Sequence, residues 1–312
     1  MAQQLLSTVL ITGANAGIGK EIARQLAYKD GVKTIYLACR NESKALTAQQ
    51  DLENSTGKRI FKVVIMDVSD EGSVQAAVKN LPAMDGIVMN AGGMGGASPL
   101  KTNREGVTYV FAQNVLGHVV LLEELLRTDR LKNVAIFVGS EAARGANIMG
   151  AKRPSFKASS VEEFVEVING KDPQRKKLNT VSMYGEVKYL GALWISALAR
   201  QYPGLRLLTV SPGGTQGTNA AKDMPPVVSF IMDKIFMPMS GVLGIAHSLE
   251  KGAQQIVDAL YNSALKSGEF YGAPDGKTIG PLTLQSTLFA DLASERVQNN
   301  AASAIHQFVG LA

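Results

Sequence analysis

Thr8-Val9-Leu10-Ile11-Thr12-Gly13-Ala14-Asn15-Ala16-Gly17-Ile18-Gly19 is the stretch on which the fold turns. Its first five residues are apolar or β-branched and read as a buried strand, and the amphipathic pattern over 18–28 reads as a helix. Gly13, Gly17 and Gly19 let the connection turn sharply and let a ligand approach the backbone. A helix that starts there offers unpaired N–H groups and a positive dipole end to a pyrophosphate. Alone, the loop also fits an ordinary tight strand-to-helix turn. The strand before it and the helix after it favour a dinucleotide.

Working outward, apolar β-branched runs recur at 33–39, 60–66, 85–90, 133–139 and 205–210, separated by helix-like stretches at 42–54, 71–78, 104–127 and 184–202. Strict alternation with apolar strands implies a parallel sheet covered on both faces. A further helical stretch at 251–265 precedes Phe270-Tyr271, expected as a last edge strand. The expected fold class is α/β: one doubly wound parallel sheet of six or seven strands, in a single domain over 1–312. Two segments break the rhythm and read as insertions. The stretch 142–180 is polar, basic and strand-free, with one short helix near 159–168 capped by Ser160. The stretch 219–241 is rich in Pro and Met, and its thioethers and aromatics suit either a bulky apolar substrate or packing on the core.

Composition removes several classes. A net charge of +5 spread over the chain leaves no stripe for nucleic acid. Cys39 is the sole cysteine, which excludes an internal disulfide framework and a multi-cysteine metal site and fits a reducing compartment. The apolar stretches 115–126 and 190–198 are too short to span a bilayer, and no secretory signal pattern precedes Thr8. A soluble, cytoplasmic protein without a transmembrane segment is expected. His118 reads as helix packing and Trp194 as core; His247 and His306 have no partner at ligand spacing, so no metal is expected.

The second strand ends in Leu37-Ala38-Cys39-Arg40-Asn41. A carboxylate there would bind the adenosine ribose and repel a 2′-phosphate. Neutral Cys39 takes its place with Arg40 adjacent, and a guanidinium fork suits phosphate. The cofactor expected is therefore NADPH/NADP+, with Arg40 as a solvated loop residue the alternative.

With these motifs in order, the chain resembles the short-chain dehydrogenases/reductases, over 8–218. The resemblance rests on the Thr12–Gly19 loop, Met66-Asp67-Val68, Asn90-Ala91-Gly92, Asn114, Ser140, Tyr184-Gly185-Glu186-Val187-Lys188 and Ser211-Pro212-Gly213. It implies a Rossmann-type fold and hydride transfer between the cofactor and a carbonyl or alcohol carbon. By the same likeness Gly13, Asn15, Gly17, Ile18, Gly19, Arg40, Asn41, Asp67, Val68, Asn90, Ala91, Gly92, Tyr184, Lys188, Pro212 and Gly213 are the expected cofactor residues, with Thr215 or Thr218 for the carboxamide contact. The expected catalytic set is Asn114, Ser140, Tyr184 and Lys188, Asn114 kinking its helix and holding a water that links Lys188 to solvent.

The chemistry follows from the residue types. Reduction needs a proton donor for the developing alkoxide and a group that holds the oxygen. A phenol titrates near pH 10, and Lys188, four positions on and on the same helix face, is expected to lower it. Ser140 ends a parallel strand, where open α/β sheets bind ligands. The expected function is an NADPH-dependent oxidoreductase acting on the carbonyl or alcohol of a hydrophobic small molecule, within the carbonyl reductase, retinol dehydrogenase and protochlorophyllide oxidoreductase-like branch. Two alternatives stay open: a protochlorophyllide-type light-dependent reductase, and a catalytically silent NADP-sensing binding protein. Forty-four positions separate Ser140 from Tyr184, more than is usual in the family. The extra chain is expected to cover the Tyr-bearing helix, which favours a monomer and leaves a homodimer open.

Overall fold

The computed structural model describes residues 5–96, 98–145, 150–171, 178–217, 240–241 and 243–310. Its strands are β1 (Thr8–Thr12), β2 (Thr34–Cys39), β3 (Phe61–Ile65), β4 (Met84–Met89), β5 (Leu131–Val138), β6 (Arg206–Val210), β7 (Phe270–Gly272) and β8 (Thr283–Leu284). They form one sheet in the order β3-β2-β1-β4-β5-β6-β7-β8, parallel except for the antiparallel β7–β8 pair. Strand order reverses between β1 and β4, so a crevice opens beyond the carboxyl ends of those two strands.

Among the described residues the expected six or seven strands become eight. Phe270-Tyr271 does pair with β6, but it is not the edge, because the two-residue β8 pairs with it on the outer side. A two-residue strand carries no readable alternation, and its partner alone defines it.

Helices α1 (Gly17–Leu26), α2 (Glu42–Thr56) and α8 (Leu249–Tyr261) pack on one face of the sheet around Ile22, Leu26, Leu52, Ile256 and Leu260. Helices α3 (Glu71–Lys79), α5 (Gly117–Arg127), α6 (Val161–Asn169), α7 (Thr180–Ala199) and α9 (Glu295–His306) build the other face. Local chemistry starts several of these helices. Asn41 and Asp70 accept from backbone N–H groups in the first turns of α2 and α3, and Ser160 with Glu163 forms a capping box on α6.

The helical stretch expected over 104–127 begins instead at α4 (Tyr109–Phe111), passes through a π-helical turn at Ala112–Leu116, and continues as α5. Gly117 follows that turn, where the chain presses on residue 68: a Cβ at Gly117 would stand 2.2 Å from the Val68 carbonyl oxygen. A helix carrying any larger residue could not run so close.

Within α7, every residue from Val187 to Ala199 is buried. Its outer side is closed by α6 and α9: the Arg200 guanidinium at the α7 C-cap bonds Gln298 and Asn299 of α9, and Asn300 donates to the Ser159 carbonyl at 2.8 Å. The Pro- and Met-rich insertion expected at 219–241 lies outside the described residues except for Ser240 and Gly241.

Candidate active site

The glycine loop combines tight turns with an uncapped helix start. Gly13 and Gly17 adopt φ of +66° and +54°, which only glycine takes readily. A Cβ at Gly19 would sit 2.5 Å from both Asn90 Nδ2 and the Gly13 carbonyl oxygen. Ala16 occupies the N-cap of α1 and has no side chain to satisfy its N–H groups, and no acidic residue lies in the first turn. An uncapped ten-residue helix behind a bare glycine turn fits the pyrophosphate of a dinucleotide. Asn90 fastens the loop to β4 by donating from Nδ2 to the Thr12 carbonyl at 3.0 Å. Ile18 packs from the helix side against the core.

Below the loop, the backbone N–H groups of Ala14 and Asn15 point at the Cys39 sulfur. Burial still dominates and pushes this thiol up to about 11, so it stays protonated. At the end of β2 Arg40 lies 3.8 Å from Asp67 and is largely exposed. Asn41 is engaged as the α2 cap, accepting from Lys44 N–H at 2.9 Å. Asp67 accepts from the Ser69 backbone and hydroxyl, and the Val68 carbonyl accepts from Gly117 N–H at 3.0 Å.

At the carboxyl end of β5, the Ser140 hydroxyl faces the Tyr184 phenol and accepts from Ala142 N–H at 3.2 Å. The Lys188 ammonium is buried, donates to the Val138 carbonyl at 2.9 Å, and lies 5.8 Å from the Tyr184 ring centroid and 4.7 Å from that of Phe137. Gly92 faces the same point: a Cβ there would meet Asn114 Oδ1 at 2.4 Å and Lys188 Nζ at 3.5 Å. Asn114 lies in the π turn, and its Nδ2 donates to the carbonyls of Gly93 and Val110, each at 2.7 Å. Ser140, Tyr184, Lys188, Asn114 and the 90–92 segment therefore converge beside the glycine loop.

The electrostatics differ from the expectation. Burial pushes the Tyr184 phenol up to about 12, with the Ser140 hydroxyl opposing, and pushes Lys188 down to about 7. Helical spacing put the ammonium beside the phenol, whereas the long side chain of Lys188 is committed to Val138 and the face of Phe137. Desolvation sets the direction of both shifts.

His118 is fully buried and bonds to Thr12 Oγ1 and the Asn114 carbonyl, each at 3.0 Å. Burial and the charge of Lys188 push it down to about 3, so it is neutral. It packs edge-on against Phe137.

On the far side of the crevice, Gly213 adopts φ of +73° and Gly214 N–H donates to the Thr278 carbonyl at 2.7 Å. Thr215 does not turn outward toward a carboxamide. Its hydroxyl donates to the Pro212 and Gly213 carbonyls at 3.2 and 3.1 Å, and its side chain packs on Gly252 of α8. It holds the turn instead. Thr218 lies outside the described residues.

Two features escaped the sequence. His247 Nε2 bonds to the Pro212 carbonyl at 2.7 Å and steadies the same turn. Glu141 and Arg144, directly after Ser140, form a fully buried ion pair. His306 pairs with Glu123 at 2.9 Å, and Glu123 also accepts from Trp194 Nε1. Among the described residues no three His, Cys, Asp or Glu side chains cluster as a metal site, and no helix is long and apolar enough to cross a membrane.

Comparison with known proteins agrees with this geometry. The sequence profile of short chain dehydrogenases matches residues 7–169, more than half of the chain. Retinol dehydrogenase 12 of Mus musculus is 32% identical over 66% of this chain and 60% of its own length. Retinol dehydrogenase 11 of Homo sapiens is 30% identical over 67% and 61%. The chain thus spans under two thirds of these relatives. L-sorbose reductase from Gluconobacter frateurii, solved with NADPH and L-sorbose, superposes with a TM-score of 0.62 at 20% identity, covering 89% of this chain and 98% of that one. Salutaridine reductase from Papaver somniferum gives 0.60 at 18% identity, with coverage of 84% and 98%; at such identities both show the fold. With one mostly parallel sheet wound on both sides and a family profile across most of its first half, the chain belongs to the short-chain dehydrogenase family.

Proposed function

We propose that the protein is an NADPH-dependent oxidoreductase that reduces the carbonyl of a hydrophobic small molecule, with Tyr184 as the proton donor. The observation that carries this reading is the convergence of Ser140, Tyr184 and buried Lys188 at the end of β5, across from an uncapped glycine-loop helix. The residues assigned to the dinucleotide are Gly13, Asn15, Gly17, Ile18 and Gly19 for the pyrophosphate, Asp67 and Val68 for the adenine, and Asn90, Ala91, Gly92, Pro212 and Gly213 for the nicotinamide half. Arg40, exposed and next to neutral Cys39, is assigned to a 2′-phosphate. Bound there, a reduced nicotinamide supplies the hydride.

The side chains do the rest. Ser140 holds the substrate oxygen, Tyr184 donates its phenolic proton to that oxygen, and Lys188 orients the nicotinamide ribose and replenishes the proton. A phenol held protonated suits donation, so the reading favours reduction at neutral pH. Two relatives named for retinol, an apolar polyene alcohol, support a hydrophobic substrate. Coverage of α7 by α6 and α9 supports a monomer.

The test is loss of NADPH absorbance at 340 nm with a panel of all-trans-retinal, long-chain aldehydes and aromatic ketones. Turnover by the wild type that Tyr184→Phe abolishes, with NADPH affinity retained, supports the reading. Tight NADPH binding with no turnover on any carbonyl assigns the chain to nucleotide sensing.

A further inference from the structure

The 3₁₀ turn Glu141–Arg144 starts immediately after Ser140 and holds a buried ion pair, with both side chains 2% exposed. Burying two charges is costly unless the remaining donors and acceptors are also satisfied. Here they are. The Glu141 carboxylate accepts from Ala273 N–H at 3.1 Å, and the Arg144 guanidinium donates to the Pro274 carbonyl at 3.3 Å and to the Lys277 carbonyl. The turn is thereby fastened to the 273–278 loop that follows β7.

That loop reaches the opposite wall of the crevice, where the Thr278 carbonyl accepts from Gly214 N–H and the Thr278 hydroxyl donates to the Ile245 carbonyl at 2.6 Å. The third side of the turn faces α7. A Cβ on Gly185 would stand 2.5 Å from the Ala142 carbonyl oxygen, so the helix bearing Tyr184 rests directly on this turn. The turn that this ion pair holds therefore touches three parts of the site: Ser140, the seat of the Tyr184 helix, and, through 273–278, the Pro212–Gly214 turn.

We infer that Glu141 and Arg144 are positioning residues that set the spacing between the Ser140–Tyr184 pair and the Pro212–Gly214 turn, and so align substrate oxygen with nicotinamide. The inference rests on the catalytic reading proposed above. A misplacement of about 1 Å at a reacting centre can cost on the order of a hundredfold in rate. The pair is therefore expected to act on kcat and to leave the distant pyrophosphate and adenosine contacts alone.

The test uses Glu141→Gln, which keeps an acceptor for Ala273 N–H, and Arg144→Lys, which keeps the charge and loses the fork. Four quantities are measured on each: melting temperature, NADPH dissociation constant, emission of the bound nicotinamide, and kcat with all-trans-retinal. The expected result is a fall in kcat of tenfold or more and altered nicotinamide emission, with the NADPH dissociation constant within threefold of wild type and a cooperative melt retained. Unchanged kcat and emission in a folded variant overturn the inference. So does a parallel collapse of melting temperature, affinity and kcat, since that marks a pair that only holds the fold. Should the wild type turn over no carbonyl, the catalytic reading itself falls, and nicotinamide emission alone then decides whether the pair seats that ring.

Discussion

Thr12 donates its hydroxyl proton to His118, and the hydrogen bonds around them fix the histidine tautomer. Both acceptor positions on Thr12 Oγ1 are taken by the N–H groups of Asn90 and Ala91, each at 2.9 Å. The one remaining hydroxyl hydrogen points to His118 Nε2 at 3.0 Å, so Nε2 is the acceptor. Nδ1 then carries the proton and donates to the Asn114 carbonyl. The base of the glycine loop, the 90–92 segment and the π turn are joined through these two buried side chains.

Replacing Thr12 by Val keeps the shape and removes that junction. Two backbone N–H groups and one ring nitrogen lose their partner in a buried place. A stability loss of about 2–4 kcal/mol is expected, read as a lower urea midpoint with an unchanged slope.

Lys188→Met should separate stability from activity. The folded protein holds this lysine near 7, below the ordinary value of 10.5, so between those limits the unfolded chain binds more protons and stability rises with pH. Removing the ammonium is therefore expected to stabilise the protein most below pH 7, by a few kcal/mol in order of magnitude. The gain should vanish as pH approaches 10, while turnover is lost at every pH. Melting curves of both proteins from pH 6 to 10 check the sign.

Direction of turnover should depend on pH in opposite senses. Reduction needs the protonated phenol, which a value of about 12 keeps fully populated, so kcat for reduction is expected to be flat from pH 6 to 9. Oxidation of the matching alcohol needs the phenolate and should climb roughly tenfold per pH unit over that range. Initial rates in both directions decide it, and a plateau in oxidation near pH 7 contradicts the raised phenol.

Gly117→Ala tests the crossing of α5 with the 67–68 segment. The new methyl would meet the Val68 carbonyl oxygen, which sits on backbone and cannot swing aside. Overpacking of this kind costs about 1–3 kcal/mol, and the Asp67–Val68 segment should shift with it. Weaker NADPH binding together with a lower melting temperature is the expected outcome in a fluorescence titration and a thermal scan.

Arg40→Ala probes cofactor choice without disturbing the fold. The Arg40–Asp67 contact is long and exposed, and such pairs contribute about 0–1 kcal/mol. Stability should hold while the preference for NADPH over NADH falls by tenfold or more. Equal kcat/KM ratios before and after the change would remove Arg40 from the 2′-phosphate site.

The parts legible in the sequence were those whose signal is local. β1 and the glycine loop showed because apolar residues and glycines alternate within a dozen positions, and Ser160 announced α6 through its capping pattern. What stayed hidden depends on partners far along the chain. Nothing local marks Glu141 and Arg144 as a buried pair, because the groups that enclose them come from residues 273–277. Helical spacing correctly put Lys188 on the side of Tyr184, yet a flexible four-carbon stem goes where a carbonyl and a ring receive it. The packing of Thr215 on Gly252 likewise depends on a helix more than thirty residues further on.

The closure of α7 by α9 also sets an order of events during synthesis. Roughly a hundred residues follow α7 before α9 emerges, on the order of 5–20 seconds of translation. Through that interval the flank that α9 will occupy has no cover from its own chain. Until α9 docks, that greasy ledge is open to other molecules.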